Sequence, residues 1–417
     1  MQPSETTVGR SLDALNFFLA DVRDGLGPYL AIYLLTERRW DEASIGAVMS
    51  IAAIAGILAQ TPAGALIDRS RAKRALIIAG ALLVTLACLV LPLLERFQLV
   101  AATQALAAAS GSIFAPAIAA VTLGIVGPRA FAARTGRNEA FNHAGNAVAA
   151  AVAGGTAYWF GPVVVFWLLA AMALASIAAT LAIPAGAIDH QVARGLDHIA
   201  GETAQEKPSG FRVLLTCRPL LIFAGATVIF HFANAAMLPL VGQKLALVNR
   251  NLGTSLMSVC IIAAQIVMVP VAVVVGRKAD IWGRKPIFAA ALAVLAIRGA
   301  LYPLSDNQYW LVSVQLLDGI GAGIFGALFP LVVADLTHGT GHFNVSQGAI
   351  ATATGLGAAL STAIAGFIVV QAGYSAAFLF LAAVAAAGLL GYCALMPETL
   401  RTTSKTSGPE ALAPQSG

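Results

Sequence analysis

Near the amino terminus, five polar residues interrupt a stretch that is otherwise largely apolar: Asp13, Asn16, Asp21, Arg23 and Asp24. On a helix turning about 100° per residue they share one face about 160° wide, with Leu15, Leu19, Val22 and Leu26 opposite. An arginine flanked by carboxylates has two chemistries open to it. It forms a structural ion pair, or it tunes a carboxylate whose proton affinity changes when the pair opens. On the second reading Asp24 is the better proton carrier, because it lies deeper in the apolar run. A second polar face holds Asn138, Glu139, Asn142, His143 and Asn146. Glu139 lies near the cytoplasmic end, and Arg134, Arg137 or the other basic loop residues are its expected partners. His143 is either a hydrogen-bonded structural residue or a proton carrier, since imidazole titrates near neutrality. The asparagines either bind a polar ligand or pack neighbouring helices. Later in the chain Thr227, His231 and Asn234 recur at i, i+4 and i+7, and Gln315 and Asp318 share a helical turn. Arg298 falls late in its apolar run, placed to snorkel toward an outer interface.

The elements that hold these residues are unusually apolar. Of the 417 residues 59% are hydrophobic and 11% charged, with a mean hydropathy of +0.82. A water-soluble chain carries about 25% charged residues, so most of this surface must face lipid. The apolar runs are long and continuous rather than alternating, which excludes a barrel and leaves helices of about twenty residues. Such runs lie at about 12–36, 42–66, 75–94, 98–126, 138–160, 162–184, 213–240, 252–275, 286–304, 309–335, 345–370 and 374–396. Gly25, Gly27 and Pro28 should weaken the first of them. The expected architecture is an all-α polytopic membrane protein of about twelve helices. No cleavable leader is read, because the first apolar run leads straight into the next.

One long polar stretch, 185–212, falls at the middle of the chain with Asp189, His190, Arg194, Asp197, His198, Glu202, Glu206 and Lys207. It divides the chain into a six-helix unit over 1–184, a linker over 185–212, a second six-helix unit over 213–397 and a disordered tail over 398–417. Most of the 25 Lys and Arg lie on one side: around Arg69–Arg74, Arg129–Arg137, the linker, Arg277–Lys285 and the tail. The positive-inside bias therefore puts both termini and the linker in the cytoplasm. The two units also repeat one another. Gly64 and Asp68 match Gly276 and Asp280, Gln104 matches Gln315, Ile113-Phe114 matches Ile324-Phe325, and Gly161 and Phe166 match Gly373 and Phe378, at a near-constant offset of about 212 residues.

The loops at the repeated Gly and Asp resemble the signature of the major facilitator superfamily, Gly-x-x-x-Asp-x-x-Gly-Arg-Lys. The second copy is nearly complete: Gly276, Asp280, Gly283, Arg284 and Lys285. The first is degraded to Gly64, Asp68 and Arg69, then Lys73 and Arg74, with no glycine before the basic pair. The resemblance covers nearly the whole chain. It implies two pseudo-symmetric six-helix bundles that rock about a central site, with this loop latching the outward-facing state. Physically, a glycine permits close helix approach and an aspartate at a helix end suits a neighbouring helix N-terminus. Where many members carry an arginine in the fourth helix this chain has Gln104. A relay would then draw on Asp21, Arg23, Asp24 or Asp318. The family's antiporter pattern in the fifth helix is only partly present, as Gly145, Gly154 and Gly155 without a following proline until Pro162.

The implied function is secondary active transport of a small solute by alternating access. Proton-coupled efflux of a small organic molecule leads, with proton-linked uptake as the alternative and a non-transporting sensor as the alternative of another class. The expected partners are the substrate, protons and the lipid bilayer, in a bacterial inner membrane and as a monomer; nucleic acid is not among them. No His-Glu-x-x-His, Gly-x-Ser-x-Gly or ATP-binding Gly-rich loop occurs, so neither an enzyme nor an ATP-driven pump is expected. The four cysteines show no metal spacing, and no cofactor or metal is expected.

Overall fold

The computed structural model describes residues 5–24, 30, 33–34, 37–40, 42–160, 163–196, 215–248 and 253–400. The expected weak point at Gly25–Pro28, the linker beyond 196 and the tail beyond 400 lie outside the described residues, as does the side chain of Asp24. Among the described residues every regular element is helical: α1 (Glu5–Asp24), α2 (Glu42–Arg69), α3 (Lys73–Val90), α4 (Phe97–Gly111), α5 (Phe114–Phe160), α6 (Val164–Ala182), α7 (Arg218–Ala235), α8 (Met237–Val248), α9 (Gly253–Trp282), α10 (Arg284–Leu301), α11 (Gln308–Thr337) and α12 (Phe343–Leu395).

Two of these contain a reversal. Gly127 (φ 69, ψ 174) divides α5, and Gly373 (φ 83, ψ 173) divides α12. Both are left-handed conformations that only glycine adopts cheaply. Pro128 then opens the second rod of α5, where its missing N–H costs no helical bond. Among the described residues nine segments are long and apolar enough to cross a membrane, and two of them, of 57 and 53 residues, turn back at these glycines. Adding α1, whose polar stripe keeps its hydropathy low, brings the crossings to twelve. Large apolar side chains stand on the outside, among them Leu58, Trp167, Phe367 and Leu390. That placement is unfavourable in water and suited to acyl chains.

The interior forms two apolar clusters. One runs from Leu12 to Ala193, with the apolar face of α1 (Leu15, Leu19, Val22) fully buried in it. The other runs from Leu220 to Met396 and also takes in Ala119, Leu123, Phe131 and Ala132. The two groups of helices meet along two seams, α2 with the first rod of α12 and the second rod of α5 with α9.

Both seams are tightest toward the end that carries the basic loops. A Cβ on Gly64 would fall on the Asn344 carbonyl, and one on Gly348 on the Gln60 carbonyl. Gly136 and Gly276 abut so that a Cβ on either meets the other's backbone. Thr61 and Thr352 share a hydroxyl hydrogen bond of 2.9 Å on the first seam. Small residues here let backbones touch, which is how helices associate where no hydrophobic force separates protein from lipid.

Candidate functional site

Above this closed end lies a cavity of about 400 Å³ between the two groups of helices. Asn16 and Arg23 reach it from α1, Gln60 from α2, Thr122, Asn138, Glu139 and Asn142 from α5, His231 from α7, Phe325 and Phe329 from α11, and Gln347 and Thr354 from α12. Arg23, Glu139 and His231 are the ionisable groups among the described lining residues. An enclosure walled by amides, hydroxyls and aromatic faces, with few charges, suits a small organic molecule.

The carboxylates sort differently from their sequence spacing. Asp13, on the polar stripe of α1, does not line the cavity. It is buried, and its two oxygens accept from Arg134 and Arg137 at 2.6 Å each. Arg134 also donates to Asn138 Oδ1 at 2.8 Å, and Asn138 Nδ2 donates to Thr122 Oγ1 at 2.8 Å. The expected pairing of Glu139 with these arginines is thereby corrected. Asp13 has taken both, and the Glu139 carboxylate faces the cavity beside Gly326 of α11. Its near neighbours are Asn142 Nδ2 at 3.4 Å and His143 Nε2 at 3.9 Å.

His143 itself stays outside the cavity lining and lies on the α5–α9 seam, where Nδ1 is 2.8 Å from Gln265 Oε1. Because that oxygen can only accept, Nδ1 carries the proton. His231 is arranged similarly: Nδ1 donates to the Thr227 carbonyl at 3.0 Å, and its ring stands edge-on to Phe325 at 4.5 Å. Phe325 stacks in turn on Phe230 and Phe329, giving this wall a stiff aromatic face.

Of the other expected site residues, Asp21 and Asn146 are half-buried and do not line the cavity. Asn234, Gln315 and Asp318 come together, but around a residue given another role. Arg298 does not snorkel outward; it is 1% exposed. Its Nη1 donates to Asn234 Oδ1 and Asp318 Oδ1 at 2.5 Å each, and its Nη2 to Gln315 Oε1 at 3.1 Å. Tyr302 Oη also donates to Gln315, at 2.6 Å, and Gln315 Nε2 donates to Asp318 at 3.0 Å. A guanidinium in hydrocarbon needs such a set of acceptors. Asp318, twenty residues on, supplied the missing counter-charge, and spacing within one run could not show it.

The loop residues also separate. Asp68, 4% exposed, caps the start of α12: its oxygens accept from the Asn344 N–H at 3.2 Å, the Asn344 side chain at 2.8 Å and the Val345 N–H at 2.8 Å. Asp280 remains within its own bundle, paired with Arg284 at 2.8 Å. Arg284 also binds Asp335 at 2.9 Å. Gly283 (φ 87) opens α10, and the first N–H groups of that helix, on Arg284 and Lys285, donate to the Glu398 carboxylate at 2.8 and 3.1 Å. Burial works against ionisation of Glu398, yet its backbone donors, Leu400, Arg284, Lys285 and Thr399, hold its carboxyl below the ordinary carboxylate range. No group of three or more metal-ligating side chains occurs among the described residues.

Twelve crossings among the described residues, a polar cavity between two pseudo-symmetric bundles and an apolar exterior define a membrane transporter. The chain belongs to the Major Facilitator Superfamily, whose profile matches residues 12–338 and 246–415. It is 65% identical over 393 residues, 94% of each chain, to MFS-type transporters of two Mycobacterium tuberculosis strains, CDC 1551 / Oshkosh and H37Rv. A stretch of 143 residues, 34% of this chain and 26% of the relative, is 27% identical to the multidrug transporter protein MdtP of Bacillus subtilis. In fold it resembles the human organic anion transporter MFSD10 (TM-score 0.69, 15% identity, 94% of this chain and 100% of that one). It also resembles the transporter FucP in its outward conformation (TM-score 0.68, 16% identity, 93% and 98%). The protein is therefore a transporter and not an enzyme.

Proposed function

We propose that this transporter exports a small organic solute by alternating access, driven by protons moving inward. The observation that carries the reading is the lone carboxylate among the described cavity-lining residues. Glu139 shares the wall with Arg23 and His231 and lies 3.9 Å from His143, which bonds Gln265 on the opposite bundle. Protonating Glu139 changes the charge of the cavity and the demand on His143 together. That links proton binding to the seam that must part when access switches. Asn142 and His231 are placed to contact the solute. Asp21, Asp24 and Asp318 are the alternative carriers. The partial likeness to a multidrug transporter supports the outward direction.

The basic loops favour a cytoplasmic closed end, with both termini and the 185–212 linker on that side of a bacterial cytoplasmic membrane. The described state is then outward-facing, with Asp68 as its latch. The bundles divide at 1–184 and 213–397, and the unit of function is the monomer. A thermal-shift screen of the purified chain against a metabolite and drug library identifies ligands, and proteoliposome flux with and without a pH gradient reads coupling. Wild type is expected to move substrate uphill only with the gradient. Glu139→Gln is expected to lose uphill movement and keep downhill exchange. Uphill transport by Glu139→Gln at the wild-type rate would remove Glu139 from coupling.

A further inference from the structure

At the closed end a second cavity, about 170 Å³, opens between the α2–α3 turn and the described part of the linker. Arg69, Arg71 and Lys73 wall it from the turn, and His190 and Arg194 from the linker. Two carboxylates border it, and both accept backbone N–H groups. Asp68 holds the start of α12, and Asp189 Oδ1 accepts the N–H groups of Gln191 and Val192 at 2.8 and 3.1 Å. Lys73 is 1% exposed and donates to the Ser70 carbonyl at 2.8 Å. Arg194 Nε and His190 Nδ1 are buried atoms with no hydrogen-bond partner among the described residues. Burial, then the charges of Lys73 and Arg71, push the His190 imidazole below its ordinary range, against the pull of Asp189. Cations gathered around a concavity, with buried donors unspent, fit a tetrahedral oxyanion, which guanidinium groups grip in pairs.

A neighbouring groove identifies the bearer of that oxyanion. It has a volume of about 260 Å³ and is lined by Ala72, Ala75, Ile78, Leu181 and Ile188, with Arg74 spent on the Thr180 and Leu181 carbonyls, and it shares Arg71 and His190 with the basic cavity. Leu181 belongs to the exposed, lipid-facing surface. A polar socket that runs into an apolar groove at the mouth of a helix bundle matches a phospholipid, headgroup inward and chain along the helices.

We propose that this paired cavity is a binding site for an anionic phospholipid, which stabilises the arrangement closed at the basic end. Both walls of the socket share one anchor from the opposite bundle. Asn344 donates to Asp68 and, at 3.0 Å, to the Ala193 carbonyl of the linker. The linker is further tied by Asp189 N–H to the Gly124 carbonyl at 2.9 Å and by Gly339 N–H to the Gly195 carbonyl at 2.6 Å. Parting α2 from α12 withdraws Asn344 from both walls at once. A lipid that bridges them therefore binds the closed arrangement better, and by linkage favours it.

The test uses the full chain in detergent, with native mass spectrometry and thermal unfolding after addition of phosphatidylglycerol, phosphatidylcholine or inorganic phosphate. Phosphatidylglycerol is expected to bind and raise the melting temperature, and to slow hydrogen exchange over 189–196 and 343–348. Arg71→Gln and Arg194→Gln are each expected to weaken that binding roughly fivefold, the effect of one cation at an anionic lipid surface. Arg194→Lys should restore most of it, and Arg96→Gln, at the opposite end, should change nothing. Equal stabilisation by phosphatidylcholine, stabilisation by inorganic phosphate alone, or unweakened binding in both Gln variants would overturn the proposal.

Discussion

The two copies of the signature loop do different jobs. In the first, α2 ends on a buried aspartate whose hydrogen bonds all go to α12, on the other bundle. In the second, Asp280, Arg284, Asp335 and Glu398 are joined by ion pairs and hydrogen bonds within one bundle. The difference lies in the partner helix. Asn344 and Val345 stand in the first turn of α12, where backbone N–H groups have no intrahelical acceptor. Their counterparts at the offset of about 212 residues are Ala132 and Ala133. These lie a turn inside the rod that Pro128 begins, where N–H groups are already bonded along the helix. Asp280 has no orphan donor to meet and pairs with its own arginine instead. An intact motif therefore marks ancestry, while the neighbour's helix start decides which copy crosses between bundles.

The largest effect should come from the glycine that lets the crossing happen. Gly64→Val places branched carbons on the Asn344 carbonyl and Val345 Cα, backbone atoms that cannot step aside. The first seam should fail to close. Transport in proteoliposomes is expected to fall by roughly a hundredfold or more, as for steric defects costing about 3 kcal/mol. Near-normal flux in this variant would mean that the seam need not close as described.

A smaller effect should distinguish the two aspartates. Asp68→Asn keeps the shape but removes the charge from the start of α12, where charge-assisted bonds contribute about 1.5–3 kcal/mol. The closed arrangement should lose population by roughly tenfold or more, and turnover should slow accordingly. Asp280→Ala removes a half-exposed i, i+4 pair and should change turnover by less than about threefold. Cysteine accessibility across the α2–α12 seam, read alongside flux, checks both. Equal effects from the two substitutions would erase the asymmetry.

Much of this architecture was legible in the residues. Hydropathy placed the crossings, and the offsets between Gly64, Asp68, Gly276 and Asp280 exposed the repeat, because span length and duplication are local or periodic properties. The polar stripe of α1 was also legible, since its apolar face is buried as the helical spacing requires. What spacing could not supply was partner choice. Arg134 and Arg137 sit within five residues of Glu139 but bind Asp13, more than a hundred residues away. Arg298 looked like an interface residue until Asn234 of α7 and Gln315 and Asp318 of α11 were brought to it from two other helices. Buried charges are satisfied in three dimensions, so the pairs that matter most are those least marked along the chain.

The smallest predicted effect concerns the second loop's own anchor. Glu398 follows α12, is largely exposed, and caps α10 with a carboxyl held below its ordinary range. A depressed carboxyl adds stability that is fully present above the unfolded pKa, about 4.3, and is lost as pH falls through the lower folded value. Because the group is exposed, the cap should contribute only about 0.5 kcal/mol, the low end of N-cap effects. Glu398→Gln should therefore lower the melting temperature slightly at neutral pH and approach wild type as the pH drops below the carboxylate range, while leaving flux intact. A loss of flux comparable to that of Asp68→Asn would instead show that the second loop also communicates with the opposite bundle, and the division of labour between the two copies would have to be redrawn.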